Sequence, residues 1–317
     1  MSAPADPEQV VDIGRSLRIA YERFGDVGAP AVLLIQGLSA QMLGWHEGFC
    51  AALVDRGVQV IRFDNRDIGR STHLSDAPVP DFPAALAGDL SSAAYTLSDM
   101  AADAIGLLDA LGIDGVHAVG VSMGGQIAQT MAIEHPDRVR SLTSISTTSG
   151  DPAVGQSWPG TWERLAGPPA TNRGQAMDRA VATLRVAGSP GFVLDEAQVR
   201  ERAGRIYERA VPDDAGMMRQ AVATIASGDR TPLLQQLDVP ALVVHGAADP
   251  MVDVSGGRAT AAAIPGAELV VFEGMGHNIP RELWPEIADR IAGLVGRAGA
   301  GSSAAGAERS AGRREPV

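Results

Sequence analysis

The residue in this 317-residue chain with the most pointed chemical setting is Ser122. It stands in Gly120-Val121-Ser122-Met123-Gly124-Gly125, after an apolar run over 116–121 and before a helical pattern over 126–135. Strand, tight turn, helix is the context in which G-x-S-x-G forms a nucleophile elbow. A serine at the tip of such a turn sits in strained backbone with its hydroxyl clear of the sheet, and small flanking residues let strand and helix approach closely. The helix that follows aims its N-terminal N–H groups and the positive end of its dipole at the same spot, which suits a developing oxyanion. A dinucleotide-binding loop also joins strand to helix, but it wants glycine where Ser122 stands and usually opens the chain.

A serine hydroxyl is a weak nucleophile at neutral pH. It needs imidazole as a base, and a carboxylate to fix the tautomer and stabilise the imidazolium. His277 is the candidate base. It lies in Glu273-Gly274-Met275-Gly276-His277-Asn278, where glycines allow a ring to be presented to a neighbouring loop. The other five histidines fit less well. His117 lies within the central strand, and His135 ends a helix before Pro136, where an imidazolium suits the dipole. His46 and His73 have no carboxylate that the topology would place beside them, and His245 fits a packing or turn role. Asp249, in His245-Gly246-Ala247-Ala248-Asp249-Pro250, is the candidate acid, ahead of Asp151 and Asp253. Two preorganised donors for the oxyanion are expected from the backbone N–H groups of Met123, just after the nucleophile, and of Leu38, in the turn Gln36-Gly37-Leu38 that ends an early buried strand.

The elements that must position these groups alternate along the chain. Residues 10–13 and 17–24 read as an antiparallel pair of strands. The continuous apolar run 31–35 is the signature of a strand buried on both faces. A helix around 45–56, a strand over 58–63, a proline-rich loop over 77–83 and a helix from Thr96 to about Leu111 follow; Thr96 with Asp99 resembles a capping box. After the central strand and its helix comes a strand over 139–146. Residues 149–169 are rich in Gly, Pro, Ser and Trp, and helical patterns follow over 173–186, 195–210 and 213–226. Alternation then resumes, with strands over 241–245 and 267–272 and helices over 233–237, 256–264 and 284–295. The expected organisation is therefore a hydrolytic core in two parts, 1–148 and 228–296, a helical cap over 149–227, and an aperiodic, disordered tail over 297–317. The fold class is α/β: a doubly wound, mostly parallel sheet with an inserted helical cap. Sites in such sheets lie beyond the carboxyl ends of the strands, which is where Leu38, Ser122, Asp249 and His277 fall.

Composition excludes several classes. The net charge of −12 argues against nucleic acid as a partner. All 26 basic residues are arginine, so pyridoxal or Schiff-base chemistry and a Walker lysine have no residue to use. One cysteine, Cys50, permits neither an internal disulfide nor a zinc cluster, and its apolar setting reads as a buried structural thiol. Neither a cofactor nor a metal is expected. Apolar runs are too short to span a bilayer and the first residues are polar and acidic, so a cytoplasmic enzyme acting on a small-molecule ester is expected, with no membrane partner.

At these residues the chain resembles the α/β-hydrolase fold family over roughly residues 17–295. Gly120-x-Ser122-x-Gly124-Gly125, His245-Gly-x-x-Asp249 and Gly274-Met-Gly-His277, in that order, carry the resemblance. Leu43-Gly44-Trp45 and the stretch Arg62-Phe63-Asp64-Asn65-Arg66-Asp67-Ile68-Gly69-Arg70-Ser71-Thr72 make it most similar to actinobacterial esterases of the aclacinomycin (anthracycline) methylesterase type. Many members have His-Gly where this chain has Gln36-Gly37, and glycine where it has Asp67; the first departure changes the hydrogen bonds around the oxyanion turn. Members that hydrolyse haloalkanes or epoxides use aspartate as nucleophile, and Ser122 argues for acyl transfer to water instead. The resemblance implies a serine carboxylesterase, with methyl esters among its substrates. Lactone hydrolysis, carbon–carbon bond hydrolysis, cofactor-free haloperoxidase-like activity, or a low-turnover ligand receptor stand as alternatives. Trp158, Trp162, Met217 and Met218 are expected to shape an apolar pocket beneath the cap.

Overall fold

The computed structural model describes residues 7–210 and 213–311, the last helix from residue 300 onward as backbone only. Eight strands form one sheet: β1 (Gln9–Asp12), β2 (Arg18–Phe24), β3 (Ala31–Ile35), β4 (Gln59–Phe63), β5 (Val116–Val121), β6 (Val139–Ile145), β7 (Ala241–Gly246) and β8 (Glu268–Phe272). Their spatial order is β1-β2-β4-β3-β5-β6-β7-β8. The first two pairings are antiparallel and the remaining five are parallel. The chain steps from β3 outward to β4, then returns across β3 to lay down β5 on its other side. The strand order therefore reverses between β3 and β5, and a crevice opens beyond their carboxyl ends.

The pleat divides the core into two layers. Leu33, Ile35, Ile61 and Phe63 face α3 (Leu97–Ala110) and α4 (Met123–Glu134), meeting Leu107, Leu108, Ile127 and Met131. Val32, Leu34 and Val60 face the opposite way, against Phe49 and Leu53 of α1 (Glu47–Val54) and Ile287 and Ile291 of α11 (Trp284–Ala311). Cys50 is buried in that second layer, and burial pushes its thiol up to about 12, the inert state expected of a structural cysteine.

Two short helices lie where the sequence predicts loop. In α2 (Phe82–Leu86), Pro83 occupies the first turn, where a missing N–H is harmless, and Asp81 accepts from the Ala84 N–H. The other is α5 (Thr161–Leu165), within the Gly/Pro/Trp-rich segment. Three longer helices of the insertion between β6 and β7 follow the sequence pattern: α6 (Arg173–Ala187), α7 (Glu196–Arg209) and α8 (Asp214–Ala226). Beyond them α9 (Thr231–Leu234) packs on α4 and α10 (Val254–Ala263), and α10 lies beside β7. Helix α11 runs past the boundary expected at Val295 as far as Ala311, in a stretch rich in alanine and free of proline; residues 312–317 of the expected tail lie outside the described residues. No described helix is long and apolar enough to cross a membrane.

Candidate active site

Ser122 joins β5 to α4 with φ 55° and ψ −126°, a left-handed conformation that a side-chain-bearing residue adopts only under constraint, at a cost of about 1–3 kcal/mol. Neighbouring glycines make the turn possible. A Cβ on Gly120 would overlap the Gly124 carbonyl, and one on Gly124 would overlap the carbonyl of Ile35 at the end of β3. The Ser122 N–H is anchored on the Ile145 carbonyl of β6 at 2.9 Å.

His277 arrives on the loop after β8. Its Nε2 lies 3.0 Å from Ser122 Oγ and its Nδ1 2.8 Å from Asp249 Oδ2. The three side chains, which lie at strand ends 127 and 28 residues apart in sequence, thus meet within hydrogen-bond reach. Asp249 is fully buried, and its Oδ1 accepts from the N–H groups of Met251 and Val252, which fixes the carboxylate plane. The rival acids lie elsewhere in hydrogen-bond terms: Asp151 accepts from Ala153 N–H, and Asp253 caps α10 and accepts from Trp158 Nε1.

The turn Gln36-Gly37-Leu38, the expected oxyanion turn, packs directly on Ser122. A Cβ on Gly37 would stand 3.0 Å from Ser122 Cβ. Among the described residues, neither the Leu38 N–H nor the Met123 N–H donates to a protein acceptor. The departure from His-Gly is resolved locally: Gln36 Oε1 accepts from the Gly37 N–H at 3.0 Å, and Asn65 Nδ2 donates to the Gln36 carbonyl.

Four of the other five histidines, His46, His73, His117 and His245, have structural partners. His46 caps α1 by accepting from Gly48 N–H. His117 pairs with Ser141 Oγ at 2.8 Å inside the sheet, and burial, helped by Arg140, lowers its pKa to about 4. His245 lies fully buried beneath the acid turn. Its Nε2 faces only the Val252 carbonyl at hydrogen-bond distance, so that nitrogen carries the proton, and burial lowers its pKa. His73, to which the sequence assigned no carboxylate, has one: Asp213, at the start of α8, lies 2.7 Å from its Nδ1. The insertion brings that partner from 140 residues away, which no local pattern could show.

Sequence reasoning missed the groups that bind the insertion to the site. Ser189, after α6, accepts from Gly276 N–H and donates to Asn278, while the Ala187 carbonyl accepts from His277 N–H at 2.8 Å. Gln220 of α8 accepts from Ser39 N–H in the oxyanion turn and donates to the Arg66 carbonyl. Arg219 makes a two-pronged pair with buried Asp67, 2.8 Å on each side, and Tyr95 donates to the same carboxylate. Burial works to raise the Asp67 pKa, but the hydrogen bonds from Arg219, the Leu74 N–H and Tyr95, with the Arg219 charge, together outweigh it and the net shift is downward. Asp67 has φ 66°, the conformation glycine favours. Asp67, His73 and Asp213 lie close enough to share a metal, yet both oxygens of Asp67 are taken by Arg219 and its neighbours, so the cluster works as a bridge of ion pairs.

Two cavities flank the rim. One of about 560 Å³ reaches Ala248, Pro250 and Asn278 beside the acid and the histidine. Another of about 460 Å³ reaches Ser39, Ala40 and Gly44 beside the oxyanion turn. Trp158 lines the first and Met217 the second; Trp162 and Met218, expected to join them, line neither.

A sheet reversing its order between β3 and β5, with a serine elbow at the reversal, defines a hydrolase of the α/β type, and residues 30–281 match the family model described as the alpha/beta hydrolase fold. The protein belongs to that family. It is similar to rhodomycin D methylesterase DnrP of Streptomyces peucetius, 27% identical over 290 residues that cover 85% of this chain and 92% of that protein. It is also similar to 3-oxoadipate enol-lactonase 2 of Acinetobacter baylyi, 25% identical over 260 residues covering 82% and 86%. Among solved structures, a meta-cleavage product hydrolase of Pseudomonas fluorescens superposes with a TM-score of 0.71 at 18% identity, covering 92% of this chain and 98% of that one; at that identity the likeness is one of fold.

Proposed function

We propose that this chain is a serine carboxylesterase, with methyl esters among its substrates, working through an acyl-enzyme. The observation that carries the reading is the unbroken line of contacts from Ser122 Oγ to His277 to Asp249, at 3.0 and 2.8 Å. His277 Nε2 takes the Ser122 proton as Oγ attacks the ester carbonyl, then gives it to the departing alcohol; the same nitrogen activates water for deacylation. Asp249 holds the proton on Nδ1 and stabilises the imidazolium. The Leu38 and Met123 N–H groups receive the oxyanion, at a position where losing one donor removes about 3 kcal/mol of transition-state stabilisation. The inserted helices form a cap over the strand ends, and the two cavities beneath it house the acyl and alcohol parts.

The similarity to a methylesterase over most of both chains supports the ester reading. The similarity to an enol-lactonase favours a second reading, lactone hydrolysis on the same triad. Stopped-flow hydrolysis of p-nitrophenyl acetate tests the first. A burst of p-nitrophenol equal to the enzyme concentration is expected, with an acetyl adduct on the acid-quenched protein, and the absence of both would contradict the acyl-enzyme. A panel of methyl esters against lactones of matched size then ranks the two readings by kcat/KM.

A further inference from the structure

Leu184, Val199 and Arg202 line both cavities, so Arg202 of α7 stands in the wall they share, with the acid–histidine side on one hand and the oxyanion turn on the other. Its position is unusual for a guanidinium. It is half-buried, yet among the described residues it makes no hydrogen bond and no ion pair. Glu47, the acid whose charge it feels, is already bonded by Arg205 at 2.7 Å and by Arg62 at 3.2 Å. Burial lowers the Arg202 pKa, Glu47 opposes that, and Arg205 adds to it. A guanidinium in a cavity wall with five donors and no protein acceptor has its hydrogen-bonding capacity free for an anion.

The surroundings point the same way. Arg164 and Arg281 also line the larger cavity and carry no ion pair among the described residues; Arg281 lies over the Trp284 ring at 5.9 Å. The acids that line it are Asp195, occupied in capping α7, and the exposed Glu282; Arg185 is paired with Glu196. A chain of net charge −12 thus sets unpaired arginines, Arg202 half-buried and Arg164 and Arg281 exposed, around a cavity that reaches the loops carrying Asp249 and His277. Planar, two-pronged donors of this kind match a carboxylate.

We propose that Arg202 binds a carboxylate carried by the substrate, so that the preferred esters bear a second, ionised carboxyl group remote from the bond that is cleaved. This rests on the esterase reading and names its substrate class. The test uses monomethyl and dimethyl esters of straight-chain dicarboxylic acids from succinate to suberate, with the wild-type protein, Arg202→Gln and Arg202→Lys. Hydrogen bonds to a charged group set the size of the effect. For the best chain length, the wild-type ratio of kcat/KM, monoester over diester, is expected to exceed one by roughly 10- to 100-fold. Arg202→Gln brings that ratio close to one, and Arg202→Lys restores part of it. Because both esters are cleaved by the same triad, the ratio is insensitive to how much of a variant is folded. A wild-type ratio near one across the series, or a ratio unmoved by Arg202→Gln, would overturn the proposal. If p-nitrophenyl acetate is turned over in that case, only the carboxylate inference falls; if the wild-type protein hydrolyses neither that ester nor any methyl ester of the series, the esterase reading falls with it.

Discussion

Asp249 and His277 divide their task by environment: the carboxylate is fully buried, while the ring it holds keeps about 15% of its side chain exposed. In the proposed mechanism this lets the imidazole exchange protons with substrate while its orientation stays fixed. Asp249→Asn isolates the orienting role. Asparagine keeps an oxygen for the Met251 and Val252 N–H groups but cannot hold the Nδ1 proton as a carboxylate does, so kcat should fall by about 10⁴ with the thermal midpoint nearly unchanged. A loss smaller than tenfold would contradict the role. A second consequence at this scale concerns His117, whose folded pKa is depressed from 6.5 to about 4. Below pH 6.5 the unfolded chain takes up a proton that the folded one refuses, so stability is lost as pH falls from about 6.5 to 4 and levels off below. The full effect is on the order of 3 kcal/mol. Urea denaturation of wild type and His117→Gln at pH 7, 5.5 and 4.5 checks this: the stability gap between them should narrow as pH falls, and a constant gap would refute it.

At the scale of elements, strand ends and the loops after them do the positioning. Much of that was legible in the sequence, because β3 and β7 are built on unbroken apolar runs, β5 is apolar but for His117, and they lead into Gln-Gly, His-Gly and Ser-Met-Gly-Gly; such runs mark buried parallel strands. What was not legible is pairing between distant segments. Ser189 with Gly276, Gln220 with Ser39 and His73 with Asp213 join residues 87, 181 and 140 positions apart, and no local period encodes them. Helix α2 was hidden for a different reason: its prolines read as loop until one is seen to sit in a first turn. The Asp64-to-Thr72 loop shows how an element is held by buried charge. Arg66 grips Asp103 through two hydrogen bonds of 2.5 and 2.7 Å and lies over the Tyr95 ring. Burial raises the Asp103 pKa in spite of Arg66. Arg66→Met leaves that carboxylate with only the half-exposed Arg15, and should destabilise the protein by about 3–5 kcal/mol. Adding Asp103→Leu should recover most of the loss; a double variant no more stable than the single would show that packing, and not the stranded charge, sets the penalty.

Over the whole molecule, burial is uneven in a way that suits the cap proposed for the insertion between β6 and β7. Ten of the twelve residues of α4 are buried, against two of the fifteen in α6 and three of the fourteen in α7. Segments with few buried contacts open locally at lower free energy than the core. Amide hydrogen exchange should therefore run faster in α6 and α7 than in α4 and the central strands, with the Ala187-to-Gly191 connection slowed by its bonds to the histidine loop. Equal protection of α6 and α4 would argue against a cap that opens on its own. In the proposed mechanism the sheet supplies Ser122, Asp249 and His277, and the insertion supplies Arg202, the cation proposed to select among esters.

In the proposed mechanism Ser122 alone among the chain's serines is made nucleophilic by its setting. Labelling with a fluorophosphonate, followed by intact mass and peptide mapping of wild type and Ser122→Ala, measures this directly. The predicted result is a single adduct on the wild-type peptide that contains Ser122 and none on the variant. An adduct formed equally by Ser122→Ala would contradict it.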